Sequence, residues 1–179
     1  MSFTILKYKE VNSTQKKIKE MIEKNKGKDW LVCWAESQKE GKGKGERIWF
    51  SPKGGLYFSV LLPKSCLDDV QTLTFLAAFV IARILKEDFS LEPLIKLPND
   101  IYIGEKKICG ILTENFLKGK ELLFSIVGIG LNTNIREFPP DLEKKSTSIF
   151  LEIKKRVSNK KILEKILKGL KNQLEIISS

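Results

Sequence analysis

The run IYIGEKKICGILTENFLKGKELLFSIVGIGLNTN, residues 101–134, constrains the fold more than any other part of the chain. It holds three stretches rich in β-branched and aromatic residues, parted by turn signals at Gly104-Glu105 and Lys118-Gly119. Parallel neighbours need a long crossover, so turns this short predict a three-stranded antiparallel meander. Further strands are expected over residues 3–9, in WLVCWAES (30–37) and in GLYFSVLLP (55–63), with proline stopping the last. LIKLPND begins another, broken at Pro98. Ser13 is placed to cap a helix running to about Asn25, with Ile18, Met21 and Ile22 on one face. Asp68 or Asp69 caps a second through about Lys86; its LTFLAAFVIARIL is apolar nearly all round and reads as the central packed helix. Residues 159–177 put Ile162, Ile166, Leu170 and Leu174 at helical spacing, and REFPPDLEKKSTSI reads as loop. Strands in succession with helices set apart predict an α+β domain over residues 1–179, a mainly antiparallel mixed sheet flanked by helices.

Composition removes whole classes of chemistry. The 179 residues are 42% hydrophobic and 30% charged, enough for one buried core. No apolar run is long enough to span a bilayer and the N-terminus lacks a signal-peptide layout, so a cytoplasmic protein without membrane contact is expected. Histidine is absent and no CxxC spacing occurs, which argues against zinc and against Ser-His or Cys-His nucleophiles. Cys33, Cys66 and Cys109 read as reduced, mostly buried thiols. Catalysis in such a chain rests on Lys, Arg, Asp, Glu, backbone amides or a bound metal. The net charge of +10 comes from 28 lysines and only four arginines, spread through every segment. That pattern speaks to solubility more than to a nucleic-acid surface.

Three segments stand out. In ESQKEGKGKGERIWFSPKGGLYFS, Gly41, Gly43 and Gly45 alternate with Lys42 and Lys44, followed by Arg47 and Trp49. The spacing fits neither a Walker A loop nor a GxGxxG fingerprint. It reads either as a solvated hairpin or as a flap whose amides and cations close on an anion, with Trp49 offering a flat face to a base. In KLPNDIYIGEKKICGIL, Lys96, Asn99, Asp100 and Lys107 interrupt apolar strands, and Asp100 and Lys107 flank a two-residue turn across which they can face. VGIGLNTN ends a buried strand with two glycines, then Asn132 and Asn134; strand glycines mark a bulge or a close approach by ligand or backbone.

Taken in order, STQ, the glycine flap, KLPNDI…KKICGIL and GIGLNTN resemble the biotin protein ligases, whose blocks read GRGRxGRxWxSPxGxLxxS, KWPNDI…KKxxGIL and GIGxNxN. The resemblance runs from about residue 5 to about residue 175. It implies a catalytic domain of the class II aminoacyl-tRNA synthetase-like type. It also implies a ligase that makes biotinyl-5'-AMP from biotin and ATP with Mg²⁺, then biotinylates one lysine of a biotin carboxyl carrier protein. Carried over by position, Ser13, Thr14 and Gln38 would bind the ureido ring, with Lys42, Lys107 and Gly110 also on the biotin. Lys42, Lys44, Arg47, Trp49 and Asn132 would face the nucleotide. Lys107, Asp100, Arg47 and Lys44 would serve catalysis, with Asp100 also the candidate Mg²⁺ ligand. The resemblance further implies a flap that is disordered when empty and orders over its ligands.

Lysines at 42 and 44 stand where the family has arginines, which keeps the charge but loses the planar fork. Leu97 replaces the family's tryptophan. Residues 1–179 hold neither the winged helix nor the small β-barrel that other members of the family carry. A single-function enzyme without DNA binding is therefore expected, and a homodimer paired at the sheet edge is compatible. A lipoate-type ligase or transferase and a non-catalytic biotin-binding module are the competing readings.

Overall fold

The computed structural model describes residues 3–24, 26–45, 47–63, 69–118 and 121–177. Seven strands form one sheet: β1 (Thr4–Val11), β2 (Leu31–Gln38), β3 (Leu56–Leu62), β4 (Pro93–Lys96), β5 (Asp100–Ile103), β6 (Lys106–Lys118) and β7 (Glu121–Leu131). Their spatial order is β1-β2-β3-β7-β6-β5-β4. Every pairing is antiparallel except β1 with β2, where helix α1 (Thr14–Glu23) supplies the crossover that parallel strands require. The meander expected over residues 101–134 is β5-β6-β7, and the mixed α+β sheet is as anticipated. Part of the turn expected at Lys118-Gly119 lies outside the described residues.

The period-2 alternation of the strands assigns the two faces different jobs. One face carries Val32 of β2, Leu56, Phe58 and Val60 of β3, and Val127, Ile129 and Leu131 of β7. It packs against α2 (Val70–Phe89) and α5 (Asn159–Ile177) in the main core. Burying each such side chain contributes roughly 1.5–3 kcal/mol. The opposite face has a smaller core under α1, built on Ile18, Leu31, Cys33, Leu61 and Ile126. Beyond the N-terminus of α1 that face carries Ser59, Gly110, Gly128 and Gly130 instead of bulky residues, and here the sheet is hollow.

Capping follows the sequence. Ser13 Oγ accepts a long 3.4 Å bond from the Lys16 N–H at the start of α1. Asp69 caps α2, its oxygens accepting from the Gln71 and Thr72 amides at 3.1 and 3.0 Å. A bond from the Thr72 hydroxyl, with these two amide bonds, holds its carboxyl below the usual range. The alternative cap, Asp68, lies outside the described residues. Helix α2 is less enclosed than its composition suggests: Phe75 and Phe79, one turn apart, are 45% and 43% exposed. The segment read as loop contains one short helix, α3 (Pro140–Glu143), and ends on the first residue of another, α4 (Ile149–Ile153). It also runs beside β6, where Lys107 N–H donates to Lys145 O at 2.8 Å and Thr147 N–H to Lys107 O at 3.0 Å. Cys33 and Cys109 are free and buried, and burial pushes the Cys33 thiol up to about 12 and the Cys109 thiol higher still. Cys66 lies outside the described residues.

Candidate active site

A cavity of about 480 Å³ opens over the hollow part of the sheet. Its lining includes Ser13, Thr14, Gln38, Lys42, Lys44, Arg47, Trp49, Asp100, Lys107, Gly110 and Asn132, which are all the residues that the resemblance assigned to the site. They come from five separate parts of the chain, brought together by the end of α1, the end of β2, the flap and the β5-β6-β7 meander.

The inner end of the cavity is polar and buried. Thr14, Gln15 and Ser59 are at most 4% exposed. Gln38 Oε1 accepts from the Thr14 N–H at 2.8 Å, while Gln38 Nε2 donates to Ser51 Oγ at 2.9 Å. Ser51 in turn donates to Trp49 O at 2.9 Å, so the glutamine ties the cavity floor to the flap. The flap itself is a small hairpin in its described residues. Trp49 N–H donates to Gly41 O and Gly43 N–H to Arg47 O, both at 2.8 Å, and Gly45 holds a left-handed φ of +69° near its tip. Glu46 lies outside the described residues.

The strand glycines have a specific occupant. Gly110 and Gly130 face one another across β6 and β7, and the Trp49 indole rests on both. A Cβ at Gly110 would come within 2.9 Å of the ring, and one at Gly130 would overlap Trp49 Nε1. Gly128 makes room for Gln15 in the same way. In this structure the space over GIG is taken by the side chains of Gln15 and Trp49. Trp49 Nε1 and Asn132 Oδ1 are buried without a hydrogen-bond partner, leaving one donor and one acceptor unused in the cavity wall.

Lys107 Nζ lies 2.7 Å from Asp100 Oδ1, an ion pair off the angle of a hydrogen bond, and 5.0 Å from the centre of the Trp49 ring. The pairing arises differently from the turn geometry expected. Lys107 sits opposite Tyr102 and Asp100 opposite Gly110, and a bulge between Ile101 and Tyr102 lets the lysine reach diagonally. Lys42, Lys44 and Arg47 are exposed on the flap side, giving the mouth a cationic rim.

Two residues flagged in the sequence take structural roles. Lys96 is exposed with its Nζ 3.9 Å from the Tyr102 ring centre. Asn134 bonds Val157 O, the Val157 N–H and Asn159 Oδ1, pinning the start of α5. Residues not anticipated as part of the site are Gln15, Ser59, Phe138, Leu142, Lys145 and Ser146. Ser59 carried a usable signal, the one small polar side chain in a wholly buried strand. The last four sat in the segment read as loop, where no periodicity points to a site.

A family model described as the biotin/lipoate A/B protein ligase family matches residues 8–132. The chain belongs to that family. A protein of Bacillus subtilis (strain 168) named bifunctional ligase/repressor BirA is 34% identical over 161 residues, covering 88% of this chain and 49% of the relative. The chain thus spans about half the length of the curated relatives it matches. Among solved structures, a biotin protein ligase from Aquifex aeolicus in complex with biotin and ATP superposes with a TM-score of 0.85 at 34% identity, covering 96% of this chain and 70% of that one. A biotin protein ligase from Leishmania major in complex with biotinyl-5-AMP gives 0.77 at 27% identity, covering 95% and 74%. Within this family, the α+β sheet with its flanking helices is the shared catalytic-domain fold.

Proposed function

We propose that this chain is an ATP-dependent biotin–protein ligase. It joins the biotin carboxylate to the α-phosphorus of ATP with loss of pyrophosphate, then passes the biotinyl group to a lysine amine of a carrier protein with release of AMP. The observation that carries this reading is the polarity gradient of the cavity. Its inner end is lined by buried hydroxyls and amides and its mouth by lysines and an arginine. A cyclic urea can add hydrogen bonds to such an inner end, whereas the dithiolane of lipoate has no N–H or C=O to offer it, and each bond forgone is worth about 1 kcal/mol. Biotin ligases solved with biotin and ATP or with the adenylate share this fold and supply the second support.

In this reading Ser13, Thr14 and Gln38 hold the ureido ring. Lys42, Lys44 and Arg47 gather the carboxylate and phosphates, two anionic partners that repel until cations lie between them. Lys107 stabilises charge developing on the carboxylate and α-phosphate oxygens. Asn132 and Trp49 offer an unused acceptor and donor to the nucleotide side. Asp100 releases Lys107 to the substrate and receives a proton from the incoming amine. Among the described residues no group of three or more acidic or thiol side chains could hold a metal. The site therefore fits a Mg²⁺ that enters on the nucleotide phosphates and takes at most Asp100 from the protein, where it would neutralise phosphate charge. No helix among the described residues is long and apolar enough to cross a membrane. A cytoplasmic enzyme is part of the proposal, as are the carrier protein as acceptor and homodimerisation at β1 or β4, the two edge strands.

Calorimetric titration with biotin, then with ATP and Mg²⁺, tests this. Biotin binding tightened by nucleotide, with pyrophosphate released, is expected. Lipoate binding in place of biotin would overturn the substrate assignment, and binding without pyrophosphate would leave a binding module.

A further inference from the structure

Gln15 ends the STQ block and Ser59 ends the flap block, and together they complete a row of four oxygens at the inner end of the cavity. In order these are Gln38 Oε1, Thr14 Oγ1, Ser59 Oγ and Gln15 Oε1, with separations of 3.1, 2.8 and 2.9 Å. The two amide orientations are fixed by their other partners. Gln38 Oε1 must be oxygen because it receives the Thr14 N–H at 2.8 Å. Gln15 Nε2 must be nitrogen because it lies between the carbonyls of Leu112 and Ile126. Both ends of the row are therefore acceptors without protons, and only the two hydroxyls carry one each.

Two protons cannot fill three oxygen–oxygen contacts. The Thr14–Ser59 and Ser59–Gln15 contacts are the shorter, and a chain in which Thr14 donates to Ser59 and Ser59 to Gln15 satisfies both. The 3.1 Å contact between Thr14 Oγ1 and Gln38 Oε1 is then left with facing lone pairs and no proton. With Thr14 only 4% exposed, this missing proton costs more than it would in water.

We infer that Gln15, acting through Ser59, is a specificity-determining positioning residue. By holding the row short of one proton, it makes Thr14 and Gln38 a paired acceptor that selects a ligand ring carrying an N–H over one that lacks it. The inference rests on the biotin reading above and deepens it. Remove either the Gln15 carbonyl or the Ser59 hydroxyl and the remaining contacts have a proton each, so the demand for a ligand N–H relaxes.

The test compares affinities for biotin and for the two cyclic carbamate analogues in which oxygen replaces one or the other ureido N–H. It uses the wild type, Gln15→Met, Ser59→Ala and the double variant. The wild type is expected to reject at least one analogue by on the order of 100-fold, and each single variant to lower that ratio about tenfold, one hydrogen bond's worth. The double variant is expected to lower it no further, because the row is one unit. A merely structural role would weaken biotin and analogue together and leave the ratio unmoved. Ratios unchanged in both single variants, or losses that add in the double variant, overturn this inference alone. If Gln15→Met fails to fold, Ser59→Ala decides by the same ratio. A wild type that binds no biotin overturns the underlying reading, and this one with it.

Discussion

Lys107 illustrates how a charged residue is accommodated in a strand. Its ammonium is offset by Asp100 at 2.7 Å and faces the Trp49 ring, while its backbone bonds run to the segment from Lys145 to Thr147. The side chain is thus only a quarter exposed without being unpaired. Asp69 shows the surface counterpart. Its carboxyl is held below its ordinary value of 3.8 by bonds from Thr72 and Gln71, so its charged form favours the folded state. That contribution is present above about pH 4, where the unfolded aspartate is ionised, and is lost as pH falls through the lower folded value. Asp69→Asn keeps a capping acceptor but cannot titrate. The wild type's advantage in melting temperature over this variant is expected to be full at pH 6–7 and to shrink as the pH is lowered through 4 to 2; an advantage that does not change with pH would refute the linkage.

Among the elements, the flap and the two central strands form a working unit. Gly110 and Gly130 leave a slot one indole wide, and Ser51 and Gln38 tie the flap's base to the cavity floor. In Gly130→Ala the new methyl overlaps Trp49 Nε1. In a rigid core such overpacking costs about 1–3 kcal/mol, but here the flap has room to withdraw. We expect the melting temperature to change little while pyrophosphate release falls at least tenfold. Trp49→Ala in the Gly130→Ala background should lower the rate no further. A full loss of stability with normal activity in the surviving fold would place the glycine's role in the sheet instead. The segment from Phe138 to Ser146 belongs to this unit as well, with Phe50 and Phe138 in ring contact 6.3 Å apart.

At the scale of the whole molecule, the face of the sheet opposite the cavity is stiffened by the packing of α2 on α5. Gly169 of α5 lies so close to Val80 of α2 that a Cβ there would come within 2.6 Å of Val80 Cγ1. Alanine is the better helix former by about 1 kcal/mol. Val80 is wholly buried and its short branch cannot move aside, so overpacking should win and Gly169→Ala should destabilise by about 1 kcal/mol net. In chemical denaturation the double variant Gly169→Ala/Val80→Ala should recover part of the loss of Val80→Ala alone. Strict additivity would show that the helices simply part.

Much of this architecture was legible from local rules. Tight turns in 101–134 dictated the antiparallel meander and Ser13 and the Asp68-Asp69 pair marked helix starts, because turn geometry and capping depend on a few neighbouring residues, whereas Asp100, Lys107 and Asn132 were assigned to the site by the family resemblance of KLPND, KKICGIL and GIGLNTN. Lys96 and Asn134 looked equally functional, since a polar residue in an apolar strand reads the same whether it meets solvent, a helix end or a ligand. The joint role of Gln15 and Ser59 was not legible for the converse reason: both stand in the quoted blocks, but the role exists only where α1, β2 and β3 bring four oxygens into a row. The slot for Trp49 likewise required β6 and β7 in register, with Gly110 opposite Gly130. The chain's own sequence determined which segments become strands and helices and which residues carry charge. Only the tertiary structure decided which side chains share protons, fill the glycine slot or line the cavity, because those contacts join residues up to 111 positions apart and follow from sheet register rather than from any local preference.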